Sequence, residues 1–518
     1  MTSGALAQEA DVQTSETQDT KTEDISALTA KADAGDAEAQ VKLGRLYRFG
    51  NDVEEDHQKA LKYFRAAAAQ DDALGQANLG VMHEYGLGVE QSHEAAVKWY
   101  RAAADQGNAT GQYYLGDMYE FGNGVPKRPS KAVDLYRKAA KQDLPKAQTA
   151  LGVMYYNGNG IDRSYEEALK WYRAAAEQGE ARAQVNLGDM YESGSGVAAD
   201  MAKAVEYYRK AADQDYADGQ TYLGLMYENG QGVDKDLTEA ARLYRAATDQ
   251  GDSVGPLYLG NMHEFGRGVD LDLVKAAKLY RQSAELGLAE GQTSLGVMYG
   301  SGRGVEKNDD EAVNWYRAAS NQGSNRGRTF LAFMYRTGRG IEQDYDEALK
   351  LLRKAAGQDY PDAQLELGIM YEFGYGVKKN EEKAVDWYRK ASDAGLANGH
   401  VYLADMYSKG IGVRKDFKEA VKLYRLAVDQ ENADAQVNLG VMYEKGHGVR
   451  QSDETAVDFY RLAAEQGDAK GQVYLADMYE VGVGIKKDLE QAEYWFQKAA
   501  DQGDEDGIEG LARVKRER

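Results

Sequence analysis

The chain has 518 residues, with 63 Lys plus Arg against 85 Asp plus Glu, and a net charge of −22 argues against phosphate backbones as partners. The absence of cysteine excludes a disulfide framework, thiolate metal sites and a cysteine nucleophile. No stretch approaches the roughly 20 apolar residues of a membrane span, and the bias towards 57 Gly and 37 Tyr against 5 Pro turns out to be periodic.

In chain order, residues 1–22 are rich in Thr, Gln, Asp and Glu, have little to bury, and are expected to be disordered. Within them Ala5-Leu6-Ala7 has the small-x-small spacing of a leader cleavage site, without a charged or apolar segment before it. It reads either as the remnant of a secretory leader or as part of a polar tail. That remnant and the lack of Cys favour a periplasmic or secreted location, with the cytoplasm as the alternative. Residues 23–35 are expected to form a capping half-repeat, because Ile25, Leu28 and Ala32 stand where Leu61, Phe64 and Ala68 stand one unit later.

From residue 36 to 503 the sequence repeats every 36 residues without insertion: leucines fall at 43, 79, 115 and onward to 475. Three residues after each comes Met in twelve of thirteen repeats, then Tyr in eleven, with His83 and His263 in the other two. Ala39, Leu43, Leu46 and Tyr47 share one face of a helix, helix A, which ends at the invariant Gly50-to-Gly482 position because glycine adopts left-handed angles at little cost. Helix B begins at Asp, Ser or Asn in twelve repeats, such as Asp56, Ser92, Asn308 and Asp488. Glu167, Glu239, Glu311, Glu347 and Glu419 are placed to complete capping boxes, and the exception, Arg128, is followed by Pro129 at the first helical position.

Each helix B carries an invariant Ala and then an aromatic pair such as Trp99-Tyr100. The residue after each leucine is Gly in ten repeats and Ala in three. A helical Gly costs about 1 kcal/mol relative to Ala, so packing must offset it, and each such Gly is predicted to mark a helix crossing at near backbone contact. Leu511 again lies 36 beyond Leu475, so residues 504–518 are predicted to be a capping helix that dissolves into the basic Lys515-Arg516-Glu517-Arg518 tail.

The unit, seen for instance from Ala435 to Gly467 with its L-G-x-M-Y, G-x-G-V and A-x-x-[WY]-Y-R blocks, resembles the SEL-one-like repeat, a relative of the tetratricopeptide repeat. The resemblance implies an all-α fold: a right-handed α-solenoid superhelix of thirteen helix-turn-helix repeats with terminal capping helices, its helices A lining a concave face. It further implies a scaffold or adaptor role. Some relatives carry a disulfide in each repeat, which this chain cannot form.

The stripe of helix A pointing away from the Ala-Leu-Met-Tyr face is the expected ligand groove. It carries Asn78, Tyr114 with Asp117, Asn186 with Asp189, Tyr222, Tyr258 with Asn261, Phe330 with Phe333, Tyr402 with Asp405, Asn438, and Tyr474 with Asp477. One of its slots alternates over 72 residues, apolar then Asp or Asn, and only Phe333 breaks the pattern; Asp and Gly alternate similarly at the end of helix B, from Asp71 and Gly107 onward. Tyr, Asn and Asp suit an adaptable surface for a protein or extended peptide with amide and basic groups. The alternative is that these Tyr and Asn side chains bridge adjacent helices A.

No cofactor, metal or catalytic residue is expected. His83 and His263 read as packed, hydrogen-bonded rings, H-E-x-x-H fails at Leu87, and the repeated G-x-G lacks the G-K-[ST] ending of a phosphate loop. Some members of the resembled family carry β-lactam-hydrolase names, but S-x-x-K and K-T-G are both missing. The Arg that ends each W-Y-R block, Arg65 to Arg461, is expected to pair or stack within its own layer. Two other functions compete with the scaffold: an envelope glycan binder that stacks sugar on the tyrosines, and a hydrolase.

Overall fold

A computed structural model describes residues 25–517 as 28 helices, with no strand among the described residues. The expected tail 1–22, with Ala5-Leu6-Ala7, lies outside them. The chain divides into two compact units, Met1–Asp272 and Leu273–Arg518. In each, helices A and B alternate, every helix packs on the next, and several successive helices A also touch one another. The architecture is an α-solenoid.

One repeat shows why these residues fold this way. Helix A, Ala181–Ser193, ends where Gly194 takes φ 72° and returns its N–H to the Met190 carbonyl. Its Leu187 and Met190 are fully buried, as are Ala204 and Tyr208 of the following helix B. What lies on Gly188 is a side chain rather than the backbone that the sequence suggests: an added Cβ would come within 2.5 Å of Tyr208 Cε1. The same ring-on-glycine contact recurs, for example at Gly80 with Tyr100 and at Gly440 with Tyr460. Glycine suits this position because it clears the thickness of an aromatic ring.

The helix-B caps form as expected, with Asp56, Ser164, Asn308 and Asp488 each accepting from a first-turn N–H, whereas Arg128 makes no side-chain cap and Pro129 stands at the helix start. The capping boxes are only half made. The N–H of the cap residue already donates to the carbonyl of the preceding helix A, as in Ser164 to Tyr155 at 3.0 Å and Asp236 to Tyr227 at 2.9 Å. With that donor occupied, Glu167, Glu239, Glu347 and Glu419 turn outward to Lys170, Arg242, Lys350 and Lys422.

The alternation at the end of helix B has a backbone cause. Asp71, Asp143 and Asp215 lie at φ 57–59°, the left-handed region that Gly107, Gly179 and Gly251 occupy in the alternate repeats. Asp is among the few residues that tolerate it. At the amino end Leu28 and Ala32 of helix Ile25–Asp33 pack with Ala39, Leu43 and Tyr63. At the carboxyl end the last helix does not dissolve but runs Glu505–Glu517, because Arg513 pairs with Glu480 at 2.6 Å and Glu517 with Lys487 at 2.8 Å.

Polar ties close each repeat on itself and join it to the next. A glutamine at the end of helix B donates to a buried glutamine of the helix A thirty residues earlier: Gln106 to Gln76, Gln178 to Gln148, Gln322 to Gln292 and Gln466 to Gln436, all at 2.8–2.9 Å. The Arg of the W-Y-R block does not stay within its layer. Arg173 donates to Tyr191 at 3.0 Å and Arg425 to Tyr443 at 2.8 Å, each reaching the helix A of the following repeat. Replacing Gln178 by Ala leaves the Gln148 carbonyl oxygen without this donor, so urea unfolding should show a loss of about 1 kcal/mol.

Candidate functional site

The rings of the stripe sit on the rings beneath them. Tyr114 lies 5.1 Å from Tyr100, Tyr222 5.2 Å from Tyr208, Tyr258 5.2 Å from Tyr244, Phe330 5.0 Å from Tyr316, Tyr402 5.2 Å from Tyr388 and Tyr474 4.9 Å from Tyr460. The lower ring is always a buried helix-B tyrosine, so each stripe ring spends one face on packing. The remainder stays accessible: Tyr222 is 39 %, Tyr402 37 % and Tyr474 38 % exposed, and Tyr114, Tyr258 and Phe330 are half-buried.

The polar members of the stripe divide. Asn78 is buried and donates to the Leu74 carbonyl at 2.8 Å, so it belongs to the interior of its own helix. Asn186 is half-buried, and its Nδ2 has no hydrogen-bond partner. Asn438 reaches Asp405 at 3.5 Å, and Asn261 is half-buried. Asp189 accepts from Tyr156 at 3.3 Å, Asp405 from Tyr424 at 2.5 Å and Lys409 at 2.7 Å, and Asp477 pairs with Arg513 at 2.9 Å. Phe333 lies half-buried under the Arg336 guanidinium, 5.1 Å from its centroid.

Sequence reasoning missed a row of glutamates. Sixteen residues before most of the buried helix-B tyrosines stands a helix-A Glu that accepts the phenol proton: Tyr100 to Glu84 at 2.5 Å, Tyr208 to Glu192 and Tyr244 to Glu228 at 2.7 Å, Tyr388 to Glu372 at 2.6 Å, Tyr460 to Glu444 at 2.7 Å. Burial and the adjacent carboxylate push these phenols above their ordinary pKa, so they remain donors. The signal was present as a Glu recurring at the 36-residue period.

Each unit has a cavity that opens along the stripe. In the first unit, a cavity of about 230 Å³ is lined by Tyr113, Tyr114, Asp117, Glu120, Tyr136 and Arg182, among others. Here the Tyr136 hydroxyl lies 2.6 Å from Asp117 and 2.7 Å from Glu120. One phenol has one proton for two carboxylates, so an additional proton satisfies the trio. Desolvation, with Glu84 and Glu120 nearby, accordingly pushes Asp117 up to about 7. In the second unit a cavity of about 520 Å³ is lined by Tyr316, Arg326, Phe330, Phe333, Arg339 and Glu366, among others.

A family model described as the Sel1 repeat matches thirteen consecutive segments, from 37–72 to 469–504. The chain belongs to the Sel1 repeat family. Among solved structures, it is 33 % identical to c5321, a protective antigen present in uropathogenic Escherichia coli strains and displaying an SLR fold, covering 96 % of this chain and 98 % of that one at a TM-score of 0.54. It is also 31 % identical to a Sel1 repeat protein from Oxalobacter formigenes, over 60 % of this chain and 90 % of that one, with a TM-score of 0.42. No curated protein matches.

Two Sel1 repeats match late, from 257 and from 327. The first opens on Gly255-Pro256, which shortens its helix A to Gly255–Phe265. The second opens with Asn325, Arg326 and Arg328 in helix Asn325–Thr337. His263, in the tyrosine slot of the former, is packed as expected and approaches the Asp270 carbonyl through Nδ1 at 3.0 Å, while Nε2 is buried without a partner.

Proposed function

We propose that this chain is a non-enzymatic scaffold that binds protein segments along the helix-A stripe of each unit. Sel1 repeats are a family of interaction modules, and their solenoids are typically non-catalytic. The observation that carries the reading is the row of rings held stacked on one side and accessible on the other, at Tyr222, Tyr402 and Tyr474. Preordered aromatic surface contributes contact area at low entropic cost. In the first unit the neighbouring Glu84, Asp117 and Glu120 favour a basic or amide-bearing segment, in keeping with the net charge of −22. The likeness to a protective antigen supports a periplasmic or secreted location.

The test is crosslinking in native cells with the wild type and a Tyr222→Ala, Tyr402→Ala, Tyr474→Ala variant. Captured partner should fall at least tenfold, since three stacked rings at about 1 kcal/mol each weaken binding by on the order of a hundredfold. Full retention of every partner rules the stripe out. Binding that persists at high salt would favour sugar stacking over a charged segment, because screening weakens only the latter.

A further inference from the structure

The second unit contains one layer in which a buried tyrosine has lost the carboxylate that its counterparts use. Seven helix-B tyrosines, from Tyr100 to Tyr460, donate to a helix-A Glu or Asp at 2.5–2.7 Å. In the Tyr316 layer the glutamate position is Gly300, and the other acceptor position, Asp117 or Asp405 elsewhere, is Val297. Tyr316 is only 4 % exposed, stacks on Phe330, and its hydroxyl meets no acceptor among the described residues. It lines the cavity of about 520 Å³. Two other tyrosine layers lack the glutamate: Tyr424, with Ser408 at the position, uses Asp405 instead, and in the Tyr172 layer the position is Tyr156, whose ring packs against the core of the first unit.

The charges around this cavity favour an acceptor. Residues 312–341 hold five arginines and no acidic residue, in a chain of net charge −22. Arg339 is held by Asp309 at 2.6 Å and Arg336 by Glu366 at 3.1 Å, and the exposed Asp362 sits in the first turn of helix Pro361–Phe373. Arg326 differs from its neighbours. Its contacts are the Ser294 hydroxyl at 3.4 Å and the Phe330 ring at 5.8 Å, and it meets no carboxylate within ion-pair distance. A buried phenol donor and a guanidinium without a counter-ion thus converge on a space where seven homologous layers hold a carboxylate.

We propose that this cavity is a carboxylate pocket, filled by an acidic side chain of a bound protein segment that takes the place of the missing glutamate. The ligand oxygen accepts from the Tyr316 hydroxyl and pairs with Arg326, while Phe330 and Phe333 cover an adjacent apolar side chain. The site is therefore opposite in preference to the acidic cavity of the first unit. Only the protein nature of the carrier rests on the scaffold reading; the carboxylate preference does not.

The test restores the built-in acceptor. A Cβ at Gly300 would meet Ala312 and the Tyr316 hydroxyl at 3.6 Å, ordinary contact, so Gly300→Glu can fold as its neighbours do. The probe is a fluorescein-labelled, end-blocked twelve-residue peptide of alternating Glu and Leu, with a Gln-Leu peptide as its neutral counterpart. For the full-length wild type, the Glu peptide should bind at least tenfold more tightly than the Gln peptide. Gly300→Glu should lose that preference while melting at or above the wild type, and Tyr316→Phe and Arg326→Gln should each weaken it severalfold. Equal binding of the two peptides, binding of neither, or undiminished Glu-peptide binding by Gly300→Glu overturns the proposal. The stripe variant Tyr222→Ala, Tyr402→Ala, Tyr474→Ala leaves these cavity residues in place, so failure of the scaffold reading would appear separately.

Discussion

Gly188→Leu is expected to destabilise its repeat by about 3 kcal/mol or more. The Cβ alone would stand 2.5 Å from the Tyr208 ring, which is fully buried and fixed through its hydroxyl to Glu192 at 2.7 Å. Ala204, Ala211 and the ring belong to one buried cluster, so the ring can give way to a methyl group but not to a whole leucine side chain. Higher helix propensity at the site offsets about 1 kcal/mol of the clash. Gly188→Ala provides the control: Ala404 precedes Tyr424 and Ala476 precedes Phe496 in the same register, so a single methyl can be absorbed by small shifts. Urea unfolding should place Ala near the wild type and Leu far below it. A Leu variant with the wild-type midpoint would mean that the ring is not confined.

Asp117→Asn should make the protein more stable at pH 8 and leave it nearly unchanged at pH 4. In the folded chain burial pushes the Asp117 carboxyl up to about 7, whereas in the unfolded chain it titrates near 3.9, the ordinary value. Between these values the folded state holds a proton that the unfolded state has released. Stability therefore falls as pH rises from about 4 to about 7 and stays reduced above that. The expected gain for Asn at pH 8 is about 2–4 kcal/mol, since each pKa unit between the two states is worth about 1.4 kcal/mol. Asn still offers Tyr136 an acceptor. Parallel urea titrations at both pH values give the difference directly, and identical pH dependence in the two proteins would show that Asp117 is ionised at neutral pH.

The solenoid was legible because its cause repeats. Leu187, Gly188, Met190 and Ala204 recur at fixed spacing since every layer solves the same packing problem, and Asp56 or Ser164 marks a helix start by a local rule. The polar ties were less visible. Gln178 and Gln148 are each unremarkable on a helix surface, and only coordinates reveal that they meet thirty residues apart. Glu84 and its equivalents look like a solvated face until the Tyr100 hydroxyl is seen beneath. With that row unread, Gly300 could not register as a missing acid. The helix wheel placed Asn78 on the outer stripe but could not foresee that its amide would fold back onto Leu74. Phe333 was noticed as a break in a pattern, and its meaning depended on the neighbours that the fold supplies.

The arginine–tyrosine ties, each spanning eighteen residues, also bear on how such a chain changes length. Because the arginine of one repeat and the tyrosine of the next are chemically the same at many junctions, excising or duplicating a whole 36-residue cassette there re-forms an equivalent pair across the new joint. Such ties let these arrays grow and shrink by whole cassettes, and confine their individuality to the few units, such as the one around Gly300, that cannot be exchanged for a neighbour.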